Sequence, residues 1–272
     1  DFAPVWVVGG GKTAMDTVHA LVQAYPGRQV NLLAGGGTFF SFPALLAAGV
    51  PPVMANASNA VAMWPASLSS AWAYRHEVSH HPRWTLMLVL ISFFGGICGG
   101  LLLLATSNAA FSRLVPWLLL SATALFAFSG QVSRMIAAAR TRIGMQTKES
   151  GTPGGVGGLI FQLCVAIYGG FFGAGMGILT LAALAIQGVE DIQELNGLKN
   201  LTSAVNYTVA AATFIIAGAI SWPHTLLMIA TAMVGAIGGA ALARRLPALW
   251  LRRLVVAVGA SLSLIYFIKT YF

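Results

Sequence analysis

Hydrophobic positions run in long blocks along most of the chain, and the polar positions that separate the blocks are few. From Thr38 to Ala48 the apolar run is too short to cross a bilayer, whereas 54–74, 84–105 and 115–136 are each long enough for a membrane helix. The second half adds 198–220, 224–243 and 249–267. Pro65 is expected to interrupt the span 54–74. Between the halves lies an uncharged stretch from Val156 to Gln187, with glycines at 169, 170, 173, 175 and 177 in its middle. As one helix its roughly 32 residues would run about 48 Å, well beyond a hydrocarbon core of about 30 Å. A helix that breaks at the glycines and resumes as a half-helix from Gly177 fits better, because irregular backbone at that depth is tolerated where it lines a cavity.

The pattern repeats. Gly35-Gly36-Gly37-Thr38 followed by PALLAAGV finds its counterpart in Gly173-Ala174-Gly175-Met176-Gly177 followed by AALAIQGV, an offset of 139 between Gly49 and Gly188. Ser58-Asn59 aligns with Lys199-Asn200 after a two-residue insertion. The expected architecture is all-α and polytopic, with about seven or eight membrane segments in two related halves, 35–150 and 151–272, each with a re-entrant or half-helix. Placing the basic loops 75–83, 134–148 and 244–253 on the cytoplasmic side requires the glycine break to be a re-entrant hairpin, and that makes the halves inverted.

Residues 1–34 follow a different pattern. Val5–Val8 and 30–33 read as strands around an amphipathic stretch, a β-turn-α-β unit. Gly9, Gly11 and Ala14 satisfy the GxGxxG/A spacing that lets backbone amides at a helix start approach a pyrophosphate. The segment resembles a dinucleotide-binding stretch of flavoprotein monooxygenase-like enzymes. One such unit cannot build a dinucleotide site, and the acidic residue expected at the end of its second strand is missing. No cofactor is therefore expected, and the segment reads as foreign to the helical part.

Composition agrees with the blocks: 57% of residues are hydrophobic and 8% charged, which excludes an ordinary soluble domain. The net charge of +8 comes from arginines clustered between apolar runs, an orientation signal rather than a nucleic-acid surface. Cys98 and Cys164 lie in apolar runs without metal-ligand spacing and are expected as inert packing residues. His76, His80 and His81 fall in a polar loop without supporting ligands, so no metal site is expected. Residue 1 is Asp, and no signal peptide is visible, so the sequence is expected to start as a fragment.

All seven carboxylates fall outside the expected spans, which disfavours cation or proton relays and favours a neutral or anionic substrate. Near the glycine breaks stand Thr38, Ser41, Asn56, Ser58, Asn59, Thr180, Asn196, Lys199, Asn200 and Asn206, neutral donors plus one cation. With amides at two half-helix starts they make a candidate site for a small oxyanion. The competing reading is that these side chains only satisfy interhelical hydrogen bonds while the glycines allow close packing.

From Gly35 to the C-terminus the chain resembles the sulfite exporter TauE/SafE family. The motifs are GGGTFFSFPALLAAGVPP, Ser58-Asn59 before a WP-containing helix and AWAYR, then YGGFFGAGMG, ELNGLKNL and GGAALARRLP followed by LRRL. The resemblance implies a multi-pass inner-membrane transporter, not an enzyme, that moves small sulfur-containing anions such as sulfite or sulfonates, with a homo-oligomer as an open option. The site is expected from Gly36, Gly37, Thr38, Asn59, Gly173, Gly175, Gly177, Lys199 and Asn200. Two departures stand out. Ala60 occupies a position where relatives carry Lys, and TVHALVQAYPGRQVNLLA stands where relatives have an apolar helix. A membrane-anchored oxidoreductase that uses flavin or nicotinamide, and a non-transporting membrane scaffold, are the rival classes.

Overall fold

The computed structural model describes residues 5–8, 30–33, 37–76, 78, 82–142, 156–189, 192–243 and 248–272. Two short strands, β1 (Val5–Val8) and β2 (Val30–Leu33), pair in parallel with Val5 opposite Val30 and Val8 opposite Leu33. The all-α expectation therefore describes the chain from Gly37 onward. The stretch between the strands, with Gly9, Gly11 and Ala14, lies outside the described residues, as does Gly36.

Nine helices follow among the described residues. They are α1 (Gly37–Ala47), α2 (Pro52–Ala73), α3 (Pro82–Ala105), α4 (Asn108–Arg142), α5 (Val156–Phe171), α6 (Met176–Ile186), α7 (Ile192–Ile216), α8 (Trp222–Ala243) and α9 (Ala248–Tyr271). Pro65 does not interrupt α2, which continues through it. A proline inside a helix frees one carbonyl, and neighbouring helices can absorb that locally. α7 spans Ile192–Ile216 rather than 198–220, which brings Glu194 into its first turn. That acid sits at a helix N-terminus, where the macrodipole favours it.

Helix direction decides the packing. Gly95 of α3 faces Ala166 of α5, and Gly99 faces Ile167 and Phe171, so α3 and α5 run parallel. Gly96 and Gly100 turn to α7 instead, toward Asn206 and Thr213. One glycine pair per neighbour lets two helices approach α3 at once. At the far end of the break, Gln187 donates through Nε2 to the Gly158 carbonyl at 3.3 Å, so the C-terminus of α6 returns to the start of α5. Together α5 and α6 form a hairpin.

α2 and α7 run antiparallel. Trp64 donates from Nε1 to Thr208 Oγ1 at 2.8 Å, while Ser58 Oγ accepts from the Ser221 amide at 2.9 Å, beyond the end of α7. The core gathers Phe39, Phe42, Phe111, Leu119, Phe126, Phe172 and Phe214 from both halves around the tip of the hairpin.

Outside the core the surface is apolar. Phe93, Phe94, Leu101 and Leu102 on α3, and Trp117, Leu120 and Phe128 on α4, are exposed. Large apolar side chains exposed on both helices suit a lipid solvent rather than water. Pro82–Ala105 and Asn108–Phe128 are long and apolar enough to cross a bilayer. Cys98 and Cys164 are exposed on this surface, not packed inside as expected, because the inward faces are taken by Ser92, Gly95 and Gly99 on α3 and by Gln162, Ala166 and Gly169 on α5.

Candidate functional site

The break in the second half is built by two glycines in the left-handed region, Gly173 at φ +79° and Gly175 at φ +77°. An L side chain at either position would cost about 1–2 kcal/mol. Tyr168 fastens the turn from both ends. Its carbonyl accepts from the Phe172 and Gly173 amides, and its hydroxyl donates to the Ala174 carbonyl at 2.6 Å. At the start of α6 the amides of Met176, Ile178 and Leu179 find the carbonyls of Gly173 and Gly175. Much of the donor capacity expected at this half-helix start is thus used within the turn.

The first half meets this tip directly. Asn56 donates from Nδ2 to the Phe171 carbonyl at 2.7 Å, and the Phe42 ring stands edge-on to Phe172 with centroids 5.6 Å apart. Ser41 donates to Asn59 Oδ1, and Asn59 Nδ2 in turn donates to Thr38 Oγ1 at 3.4 Å. Thr38 shares a hydrogen bond with the Tyr207 hydroxyl, which would lie 3.1 Å from a Cβ at Gly173. Thr38, Asn59 and Gly173 therefore meet, joined by Tyr207, which the sequence reading did not single out. Its spacing one residue after Asn206 on the same helix was the available signal.

Lys199 and Asn200 belong to a second group. Lys199 precedes Tyr207 by eight residues, about 12 Å of helix rise, and a helical side chain leans further toward its N-terminus. Because α2 and α7 are antiparallel, the aligned pair Asn59 and Asn200 fall on opposite sides of the Trp64–Thr208 crossing, about 20 Å apart along the helices. Lys199 is 1% exposed, and its Nζ is buried without a hydrogen-bond partner. Asn200 Nδ2, Gln162 Oε1 on α5 and Trp84 Nε1 on α3 are buried in the same condition. Leu159 and Leu198, close in sequence to Gln162 and Lys199, join one apolar cluster with Trp84, Leu88 and Leu184. Buried polar atoms without partners are uncommon, and each calls for an explanation.

Between the two groups stands Asn206. Its Nδ2 donates to the Ala166 carbonyl at 2.7 Å and more weakly to the Ser92 carbonyl at 3.4 Å, so it ties α7 to α5 and α3. Gly37 opens α1, and Gly177 lies in the first turn of α6. The helices α1 and α6 have the same length of 11 residues and bounds that differ by the 139 of the sequence repeat. No residue in either group is acidic.

Comparison with known proteins places the chain. The sulfite exporter TauE/SafE family matches residues 27–266, which begins eight residues before Gly35 and takes in β2. A probable membrane transporter protein of Haemophilus influenzae is 26% identical over 212 residues, covering 78% of each chain. A probable membrane transporter protein of a Sinorhizobium species is 26% identical over 246 residues and 89% of each chain. The probable membrane transporter protein YfcA of Escherichia coli is 25% identical over 236 residues, 86% of this chain and 83% of that one. No solved structure matches. Nothing in these comparisons supports a flavoprotein origin for the first residues. With a match over most of its length and relatives named as membrane transporters, the chain belongs to the sulfite exporter TauE/SafE family.

Proposed function

We propose that the protein carries small oxyanions of sulfur, sulfite or sulfonates, across the inner membrane by alternating access. The observation that carries the proposal is Lys199, the one charged side chain among the buried described residues, whose Nζ has no partner. A buried cation without a counter-ion is costly, and a passing anion would relieve that cost. Asn200, Gln162 and Trp84 also hold buried polar atoms without partners, neutral groups that would be available to orient oxygens. The exporter direction and the sulfur chemistry rest on the family's description.

In this reading the group around Thr38, Asn59, Tyr207 and Gly173 is a second station, reached from the other side of the α2–α7 crossing. The two halves are inverted repeats. This rests on the antiparallel α2 and α7, on the matched α1 and α6, and on the hairpin of α5 and α6. A two-fold axis in the membrane plane would generate the same relationships. Residues 35–150 and 151–272 are then the two units, and each contributes one station. Gly37, at the start of α1, and Gly177, in the first turn of α6, mark the half-helix ends whose dipoles point at the passing ion.

The test is Lys199→Met in proteoliposomes loaded with sulfite. We expect loss of efflux with the protein still inserted and monodisperse. Efflux at the wild-type rate would remove Lys199 from the mechanism. Sulfite efflux abolished equally by unrelated core substitutions would point to a scaffold role instead. Tight retention of a flavin or nicotinamide after purification would favour the oxidoreductase reading.

A further inference from the structure

A cavity of about 710 Å³ opens beside the C-terminal half of α1. It is bounded by the C-terminal end of α1, the 49–52 loop, the first two turns of α4 and the last turns of α9. Its walls are of two kinds. Leu46, Val115, Leu262 and Ile265 make an apolar floor, while Arg113 and Lys269 stand with Ser112 and Thr270 at its polar edge. Among the described residues no acidic side chain lines it. Glu194, the one carboxylate side chain among the described residues, sits in the first turn of α7. α7 runs parallel to α3, whose C-terminus leads into α4, so Glu194 is at the opposite end of the bundle.

The level of this cavity in the bilayer is marked by aromatic groups. Trp117 donates from Nε1 to the Tyr271 hydroxyl at 3.1 Å, and Tyr271 donates on to the Arg113 carbonyl at 3.0 Å. Phe267 packs between them, with its centroid 5.3 Å from Trp117 and 4.9 Å from Tyr271. Tyr and Trp with one apolar face and one polar tip collect where hydrocarbon meets headgroups. Two cations at that level, with no described acid beside them and an apolar floor on which Ile265 is exposed, are complementary to a molecule with an anionic head and a hydrocarbon tail.

We propose that this cavity binds an anionic phospholipid, with the phosphodiester between Arg113 and Lys269 and an acyl chain along Leu262, Ile265 and Val115. Ser112 adds a neutral donor, and the N-terminal turns of α4 add the positive end of a helix dipole. The inference needs only that the protein lies in a membrane, and it is independent of the identity of the transported ion. Because α1 and α9 both border the cavity, a seated lipid also braces the first half-helix against the last helix.

The test uses the full chain in detergent, with phosphatidylglycerol, phosphatidylcholine of the same acyl chains, and soluble glycerol phosphate as probes. Thermal unfolding and native mass spectrometry read the binding. Phosphatidylglycerol is expected to raise the unfolding temperature and appear as a bound adduct, while the other two probes do neither. Arg113→Gln combined with Lys269→Gln should weaken the binding by roughly tenfold to thirtyfold, the loss of two interfacial cations. Arg113→Lys combined with Lys269→Arg should keep it. Should the neutralised variant fail to fold, Leu262→Trp tests the same site by filling the floor with both cations retained, and it should also abolish the adduct. Equal shifts with phosphatidylcholine would overturn the proposal, as would a neutralised variant that keeps its preference or an equal effect of glycerol phosphate alone.

Discussion

Asn56, on a helix of the first half, donates to the Phe171 carbonyl at the last turn of the α5 helix in the second, 2.7 Å away. The last carbonyls of a helix have no partner within it, and here the chain turns away at Gly173 before a new turn can supply one. The amide of Asn56 acts as the missing donor across the two halves.

We predict that Asn56→Ala lowers stability by about 1–3 kcal/mol, since it orphans a partly buried carbonyl. The measurement is the midpoint of thermal unfolding in detergent. A midpoint unchanged within error would mean that the Phe171 carbonyl finds another donor.

Two glycines at the hairpin should fail for opposite reasons. A Cβ at Gly170 would lie 2.5 Å from the Gly96 carbonyl oxygen, backbone against backbone, so Gly170→Ala is expected to cost about 1–3 kcal/mol and the larger Gly170→Asn more. At Gly175 the nearest atoms are 3.8 Å away, but φ is +77°. There Asn, which tolerates the left-handed region, should be milder than Ala. The opposite order of Ala and Asn at either position would contradict the geometry.

Tyr207 and Thr38 share one bond between the halves. Tyr207→Phe and Thr38→Val should each change stability by less than about 1 kcal/mol, as single polar bonds between membrane helices do. Each should raise the KM for sulfite efflux. Thr38→Val also removes the acceptor of Asn59 Nδ2, so the double variant should be no worse than Thr38→Val alone. Additive losses would show that the two hydroxyls act separately.

Gln162 separates a structural role from a transport role. Its Oε1 is buried and unpartnered, so Gln162→Leu should leave stability unchanged or raise it. Efflux should nonetheless fall, because the side chain belongs to the Lys199 group. Full activity in a stabilised variant would confine Gln162 to packing.

Much of the fold was legible because lipid imposes simple rules. Apolar blocks of the right length marked the helices, and glycines marked the break. The repeat of 139 residues fixed the correspondence of α1 with α6 to the residue. Pro65 misled because proline is read as a breaker from local backbone sterics, while neighbouring helices around α2 absorb the freed carbonyl. The cysteines misled because an apolar run does not say which of its faces looks inward.

The sequence by itself determined the class of the protein, its helical blocks, its internal repeat and the residue types near the breaks, since these follow from composition and periodicity along one chain. Only the tertiary structure decided which of those residues meet. Repeat-aligned residues such as Asn59 and Asn200 look equivalent in sequence, yet antiparallel crossing of their helices sends them to opposite sides. Tyr207, unmarked in sequence, reaches Thr38 because side-chain contact depends on helix direction and rotation, which no linear pattern encodes.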